Sequence, residues 1–228
     1  MTQKLMKYQL LDSGHSKKLE QVGPYRLVRP SPQAVWPTKL SEKEWKQADA
    51  SYTRHAGGDG KWSLSNKKLP AEWMIEWDGL ALLVRLTSFG HLGFFPEHHH
   101  IDYLEKQIKQ TVNQAKPFRL LHLFAYTGIL SLRALYLGAQ VVHVDASKAS
   151  IDWAIKNKNL NEQLLTGGQG SIRFIHDDVL KFVKREIKRG SKYQGIVLDP
   201  PSFGRGPKNE LWKIDDHLVE LLELLNQL

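Results

Sequence analysis

From residue 101 onward, short apolar runs alternate with longer amphipathic stretches, and this alternation limits the fold more than any other feature of the chain. Residues Ile101–Ala115 read as a helix, Arg119–Phe124 as a strand, Ile129–Leu137 as a helix, Gln140–Val144 as a strand and Lys148–Leu160 as a helix. Strand Ile172–Ile175, helix Val179–Lys188, strand Gly195–Leu198 and helix Asp215–Leu228 follow. Strands that are apolar throughout and separated by helices predict a parallel sheet covered on both faces, a Rossmann-like doubly wound α/β domain. In such sheets ligands bind beyond the carboxyl ends of the strands, so residues that directly follow strands are the ones to inspect.

Residues 1–100 have a different grain. Tyr8–Leu11, Tyr25–Val28 and Trp62–Leu64 are short apolar and aromatic runs broken by Gly, Pro and Asp. Trp73–Trp77, the dipeptide Asp78-Gly79 and Leu80–Leu86 predict a β-hairpin, because both turn residues tolerate the positive φ of a primed turn. Ser41 followed by Glu44 matches a helical capping box. The stretch His55–Gly60 is expected to be a mobile loop. We therefore expect a small β-rich domain over residues 1–100, with possible RNA or substrate contacts, and the α/β domain over 101–228. The tryptophans of the first domain (Trp36, Trp45, Trp62, Trp73, Trp77) are expected to pack its core rather than to stack bases.

At 41% hydrophobic and 25% charged residues, the chain of 228 residues has the composition of a folded protein, not of a disordered or fibrous one. No apolar run approaches the roughly 20 residues of a membrane-spanning helix, and the first residues lack a signal-peptide core, so a cytoplasmic protein is expected. There is no cysteine, hence no disulfide and no thiolate zinc site. Lys and Arg total 32 against 24 Asp and Glu, a net charge of +8 that suits a polyanionic partner such as RNA. Residues 1–100 hold 14 basic and 10 acidic side chains, leaving 18 and 14 for the rest, so no basic tail stands apart.

Four strand ends carry the candidate chemistry. The first runs Phe124-Ala125-Tyr126-Thr127-Gly128 into a helix, and the second ends at Asp145, followed by Ala146-Ser147. A tight turn followed about 20 residues later by an acid is the layout that holds a nucleoside, with the carboxylate accepting the ribose hydroxyls; the alternative is that Asp145 caps the next helix. Phe124 and Tyr126 stand where a dinucleotide fold needs glycines, which argues against NAD and FAD and for a nucleoside without phosphates. The third end, Asp177-Asp178-Val179, offers an acid and a main-chain N–H to an adenine, or a helix cap. The fourth, Asp199-Pro200-Pro201-Ser202-Phe203, is a rigid array of acceptors.

These residues resemble the class I S-adenosylmethionine-dependent methyltransferases, most closely the bacterial large-subunit (23S) rRNA methyltransferase family. Leu123–Gly128, Val144–Lys148 and Asp199–Phe203 resemble its motifs in order, and Gly93-Phe94-Phe95-Pro96-Glu97 resembles its pre-domain motif. The resemblance implies S-adenosylmethionine as cofactor, with Phe124, Ala125, Tyr126, Thr127 and Gly128 at its methionine end. It implies Asp145, Ala146 and Ser147 at the ribose, and Asp177, Asp178 and Val179 at the adenine. Asp199, Pro200 and Pro201 would stand where donor and target meet, and Phe95, Pro96 and Glu97 would close over the methionine. The acid that many such enzymes carry in the first strand is His122 here.

Methyl transfer from a sulfonium needs alignment and no metal. Carbon-5 methylation of a pyrimidine needs a thiol nucleophile, which these residues lack; amine methylation uses an aromatic side chain after the two prolines, where Ser202 stands, with Phe203 one position later. Arg205, Lys208 and Lys213 are candidates for phosphate contacts around the target base. Glu97-His98-His99-His100 is not expected to hold a metal, because consecutive side chains diverge. The apolar face Leu218, Leu221, Leu222, Leu225 and Leu228 suggests further strands beyond residue 228, and hence weak cofactor binding by these residues alone. An RNA-binding module with an incomplete cofactor site and a small-molecule methyltransferase are the competing readings.

Overall fold

The computed structural model describes residues 6–55, 59–99, 101–112, 116–165 and 170–228. Parts of the expected loop at His55–Gly60, of the helix expected to reach Ala115 and of the histidine run ending at His100 lie outside the described residues. The chain divides into two compact units, Met1–Pro96 and Glu97–Leu228.

In the first unit, strands β1 (Tyr8–Gly14), β2 (Lys17–Val22), β3 (Tyr25–Pro30), β4 (Ala50–Arg54) and β5 (Gly60–Leu64) form one sheet in sequence order. All its pairs are antiparallel except β3 with β4, between which the short helix α1 (Glu42–Trp45) lies in sequence. The expected capping box is present: the Glu44 amide donates to Ser41 Oγ, and Glu44 Oε2 accepts from the Ser41 amide at 2.8 Å. Strands β6 (Glu72–Trp77) and β7 (Leu80–Arg85) form the expected hairpin, with Asp78 at φ 51° and Gly79 at φ 80°. It is tied to the sheet where the Trp73 indole donates to the Val22 carbonyl at 3.0 Å and packs edge-on to Tyr25.

Strand β2 is absent from the sequence expectation, because Lys17-Lys18-Leu19-Glu20 looks like solvated surface. Its Glu20 is fully buried and accepts from Arg29 at 2.6 and 2.7 Å and from the Tyr8 hydroxyl at 2.9 Å. Burial alone would raise the Glu20 pKa, but Arg29, Lys18 and Tyr8 outweigh it and hold the carboxyl below its ordinary range. Of the five tryptophans, Trp73 is in the core, whereas Trp36 is half exposed with its indole N–H on the Ser13 carbonyl.

The second unit is built on a parallel sheet of strands β8 (Arg119–Leu123), β9 (Gln140–Asp145), β10 (Ser171–His176) and β11 (Gly195–Leu198), in the order β10-β9-β8-β11. Its helices are α2 (Asp102–Val112), α3 (Ile129–Tyr136), α4 (Lys148–Leu160), α5 (Glu162–Leu165), α6 (Val179–Lys188) and α7 (Ile214–Leu225). Alternation along the strands sends Leu121, Leu123, Val142 and Val144 into a core with Val179, Phe182 and Val183 of α6 and Leu221 and Leu225 of α7. Each such buried side chain contributes about 1.5–3 kcal/mol. Leu120, His122, Val141 and His143 point to the opposite face, where His122 and His143 reach Ser131 of α3. Helices on both faces complete the doubly wound arrangement.

Two details differ from expectation. Leu221 and Leu225, expected to need further strands, are buried within this unit, while Leu222 and Val219 on the same helix remain exposed. The segment after the two prolines, for which the sequence predicts no element, is a hairpin of β12 (Phe203–Arg205) and β13 (Leu211–Lys213). It brings Trp212 into the core, with its indole N–H on the Pro201 carbonyl at 2.7 Å.

Candidate functional site

The carboxyl ends of β8 and β9 lie side by side, and the turn between β8 and α3 is shaped there. Phe124, Tyr126 and Gly128 have φ of 52°, 50° and 87°. The positions occupied by glycine in a dinucleotide turn thus keep a glycine-like backbone although two carry large side chains, at a cost of about 1–2 kcal/mol each. Several contacts offset that cost. The Phe124 ring packs on Trp212 with centroids 4.7 Å apart, and Tyr126 faces Trp153 of α4 at 6.2 Å. The Ala125 amide donates to the Val144 carbonyl at 3.1 Å, and the Asn157 side-chain amide donates to the Thr127 carbonyl at 3.0 Å. Thr127 and Asn157 are buried, so the turn is held by the body of the unit and not by solvent-exposed groups.

The central carboxylate belongs to Asp145. Its Oδ2 accepts the Tyr126 amide at 2.7 Å and its Oδ1 the Ser147 amide at 2.8 Å. Helix α4 is capped by Ser147, whose hydroxyl accepts the Ser150 amide at 3.2 Å, so Asp145 is not the cap. Each carboxylate oxygen can accept more than one hydrogen bond, so capacity remains for two further donors. Burial raises the Asp145 pKa, and the Ser147 and Tyr126 amides and His176 offset part of that shift. His176 Nε2 meets the Ala146 carbonyl at 3.0 Å, which fixes the strand end next to Asp145.

At the end of β10, Asp178 caps α6 by accepting the Lys181 amide at 2.9 Å, and Asp177 accepts the Asp178 amide and pairs with Arg185. The cap, one of the two sequence readings, is therefore realised at Asp178, and Val179 turns into the core. At the end of β11, the largely exposed Asp199 side chain meets His98 Nε2 at 3.1 Å. Pro200 and Pro201 follow, and beyond them Phe203 is 55% exposed with the Arg205 guanidinium 6.0 Å from its ring centroid. Arg205 also donates to Asn209 Oδ1 at 3.0 Å, Lys213 pairs with Asp216 at 3.4 Å, and Lys208 is exposed.

Phe95 and Pro96 belong to the first unit, where the Phe95 ring lies edge-on to His91, and Glu97 opens the second unit. Residues Pro96–His99 form a single helical turn that carries His98. Among the described residues no group of three potential ligands stands together as a metal site, and no helix is long and apolar enough to cross a membrane.

Trp212, Asn157, Ser131 and His143 support this region without having been singled out in the sequence. Only His143 left a trace, as the one polar residue inside the strand Val141–Val144.

The sequence matches the S-adenosylmethionine-dependent methyltransferases over residues 59–225. The chain belongs to this family. Among curated relatives of this chain is the ribosomal RNA large subunit methyltransferase I of Aeromonas salmonicida, 30% identical over 161 residues, covering 70% of this chain and 38% of that protein. Another is the ribosomal RNA large subunit methyltransferase K/L of Pseudomonas paraeruginosa, 32% identical over 148 residues, covering 64% of this chain and 18% of that protein. The chain thus spans well under half the length of these relatives. The crystal structure of a SAM-dependent methyltransferase from Agrobacterium tumefaciens is 38% identical, with a TM-score of 0.89, over 100% of this chain and 75% of that one.

Proposed function

We propose that this methyltransferase binds S-adenosylmethionine at the carboxyl edge of its parallel sheet and methylates a base of ribosomal RNA. The observation that carries the reading is the Asp145 carboxylate, joined to Tyr126 and Ser147 at two adjacent strand ends and retaining acceptor capacity for a pair of ribose hydroxyls. The donor set fits the cofactor: a carboxylate for the ribose, and aromatic and glycine-like turn residues for an unphosphorylated ligand. When bound, the cofactor supplies an electrophilic methyl group on sulfur.

The chain's own residues then have distinct tasks. Phe124, Ala125, Tyr126, Thr127 and Gly128 line the methionine end, and Asp145, Ala146 and Ser147 the ribose. The Asp178 and Val179 main chain faces the adenine, with Asp177 held back by Arg185. Asp199, steadied by His98 and followed by two prolines, accepts a hydrogen bond from the target base and orients it for in-line attack. Phe203, exposed at the start of β12, offers a stacking surface to that base. Arg205, Lys208 and Lys213 contribute to phosphate contacts, and Glu97, at the start of the second unit, serves the methionine end. The names of the curated relatives and the net charge of +8 support ribosomal RNA as the substrate.

Calorimetry with S-adenosylmethionine and its demethylated product tests the cofactor assignment. Binding in the low micromolar range is expected, against the weak binding that the sequence alone suggests. Two ribose hydrogen bonds to a carboxylate are worth about 1.5–3 kcal/mol each, so Asp145→Ala should weaken binding by roughly a hundredfold or more; unchanged affinity would remove the assignment. Transfer of tritiated methyl to undermethylated ribosomal RNA tests the substrate, and RNA binding without transfer would favour the binding-module reading.

A further inference from the structure

Beneath the Phe124–Gly128 turn lies a buried polar cluster that the proposed chemistry does not use. Ser131, in the first turn of α3, stands between His122 of β8 and His143 of β9, with Oγ 2.8 Å from His122 Nδ1 and 2.9 Å from His143 Nδ1. All three side chains are buried. Among the described residues the two imidazoles are the hydroxyl's hydrogen-bond partners. The rings sit 6.0 Å apart, and His143 also lies edge-on to Phe174.

A hydroxyl has one proton to give. It donates to one Nδ1, and that ring must carry its own proton on Nε2; the other ring must then donate from Nδ1 to the same oxygen. A second proton on either ring would place a charge in this apolar layer. Burial lowers the pKa of both, His122 well below its ordinary value, with His143 and His98 adding to the shift, and His143 to about 3, with the Tyr126 main chain opposing it.

The cluster touches the turn directly. A side chain at Gly128 would meet His143 Cε1 at 3.4 Å, so this imidazole is the floor on which the left-handed Gly128 rests. We propose that His122, Ser131 and His143 form a neutral hydrogen-bonded chain in which the two imidazoles hold opposite tautomers, and that they act as positioning residues for the Phe124–Gly128 turn. The chain joins β8, β9 and α3 at the point where the backbone leaves the sheet, and thereby sets the direction of the Tyr126 amide toward Asp145. Its bearing on the cofactor rests on the reading of the site given above; its bearing on the turn does not.

Two measurements test it. In cofactor-free protein, long-range proton–nitrogen correlation spectra should show one ring of the pair protonated on Nδ1 and the other on Nε2, with neither titrating across the neutral range. Two like tautomers, or a charged ring, would overturn the proposal. The second measurement compares His122→Leu, which fills the space without polar atoms, with His122→Asn, whose amide offers a polar atom at the Nδ1 position. His122→Leu should speed amide exchange at Tyr126 and Gly128 by about tenfold relative to the core of β9, and weaken cofactor affinity by a similar factor, while Asn restores both to within about threefold. Equal behaviour of the two variants, or uniformly faster exchange throughout the unit, would reduce the cluster to ordinary core packing. Failure of the wild-type protein to bind cofactor would count against the proposed function alone, because the tautomers and the exchange rates are read without it.

Discussion

Acid should loosen the second unit well before its carboxylates are protonated. In the unfolded chain an imidazole titrates with a pKa of about 6.5. In the fold, burial holds His143 at about 3 and His122 well below its ordinary value. The unfolded state therefore binds more protons, and stability falls as the pH drops through the unfolded pKa toward the folded one. Between about pH 7 and about pH 5.5, each imidazole kept neutral costs about 1.3 kcal/mol, so the pair costs about 2.5 kcal/mol. Amide hydrogen exchange of β8 and β9 measures this within the unit, through the opening free energy of their slowest amides. His143→Asn should remove about half of the loss. If those amides open with the same free energy at both pH values, or if the variant keeps the full dependence, then the two rings are not neutral and buried together as described.

Two further substitutions probe separate parts of the molecule. Gly128→Ala introduces a side chain at φ 87° that would meet Ala154 Cβ at 3.1 Å; calorimetric melting should show a loss of about 1–2 kcal/mol or more, and cofactor affinity should fall with it. Glu20→Gln leaves Arg29 buried without its counter-charge, and urea unfolding should report a loss of about 3–5 kcal/mol in the first unit. In the wild type the contribution of Glu20 is complete above the ordinary glutamate pKa and is lost as the pH falls through its lowered value.

Much of the architecture was legible because the periodicities that encode it are local. The alternation after residue 101 gave the parallel sheet, Asp78-Gly79 gave the hairpin, and Ser41 with Glu44 gave a helix start. What stayed hidden depends on partners distant in sequence. Strand β2 reads as surface charge until Arg29 arrives from β3 to neutralise Glu20. The β12–β13 hairpin has three-residue strands, too short for a period to register, and is anchored by Trp212 reaching back to Pro201. The same holds for the site. Asp145 could be singled out by its spacing from the turn, but not its two main-chain hydrogen bonds. Two histidines and a serine, separated by up to 21 positions from His122 to His143, give no pattern that would join them.

Strand β11 lies at the margin of the parallel sheet, with β8 its only neighbour among the described strands. Here the ladder can run for no more than the four residues Gly195–Leu198 before two prolines arrive without N–H groups to offer. The prolines that stiffen the Asp199 corner therefore also fix where the β11 ladder stops, and replacing both with alanine should loosen that corner and the alignment proposed for it.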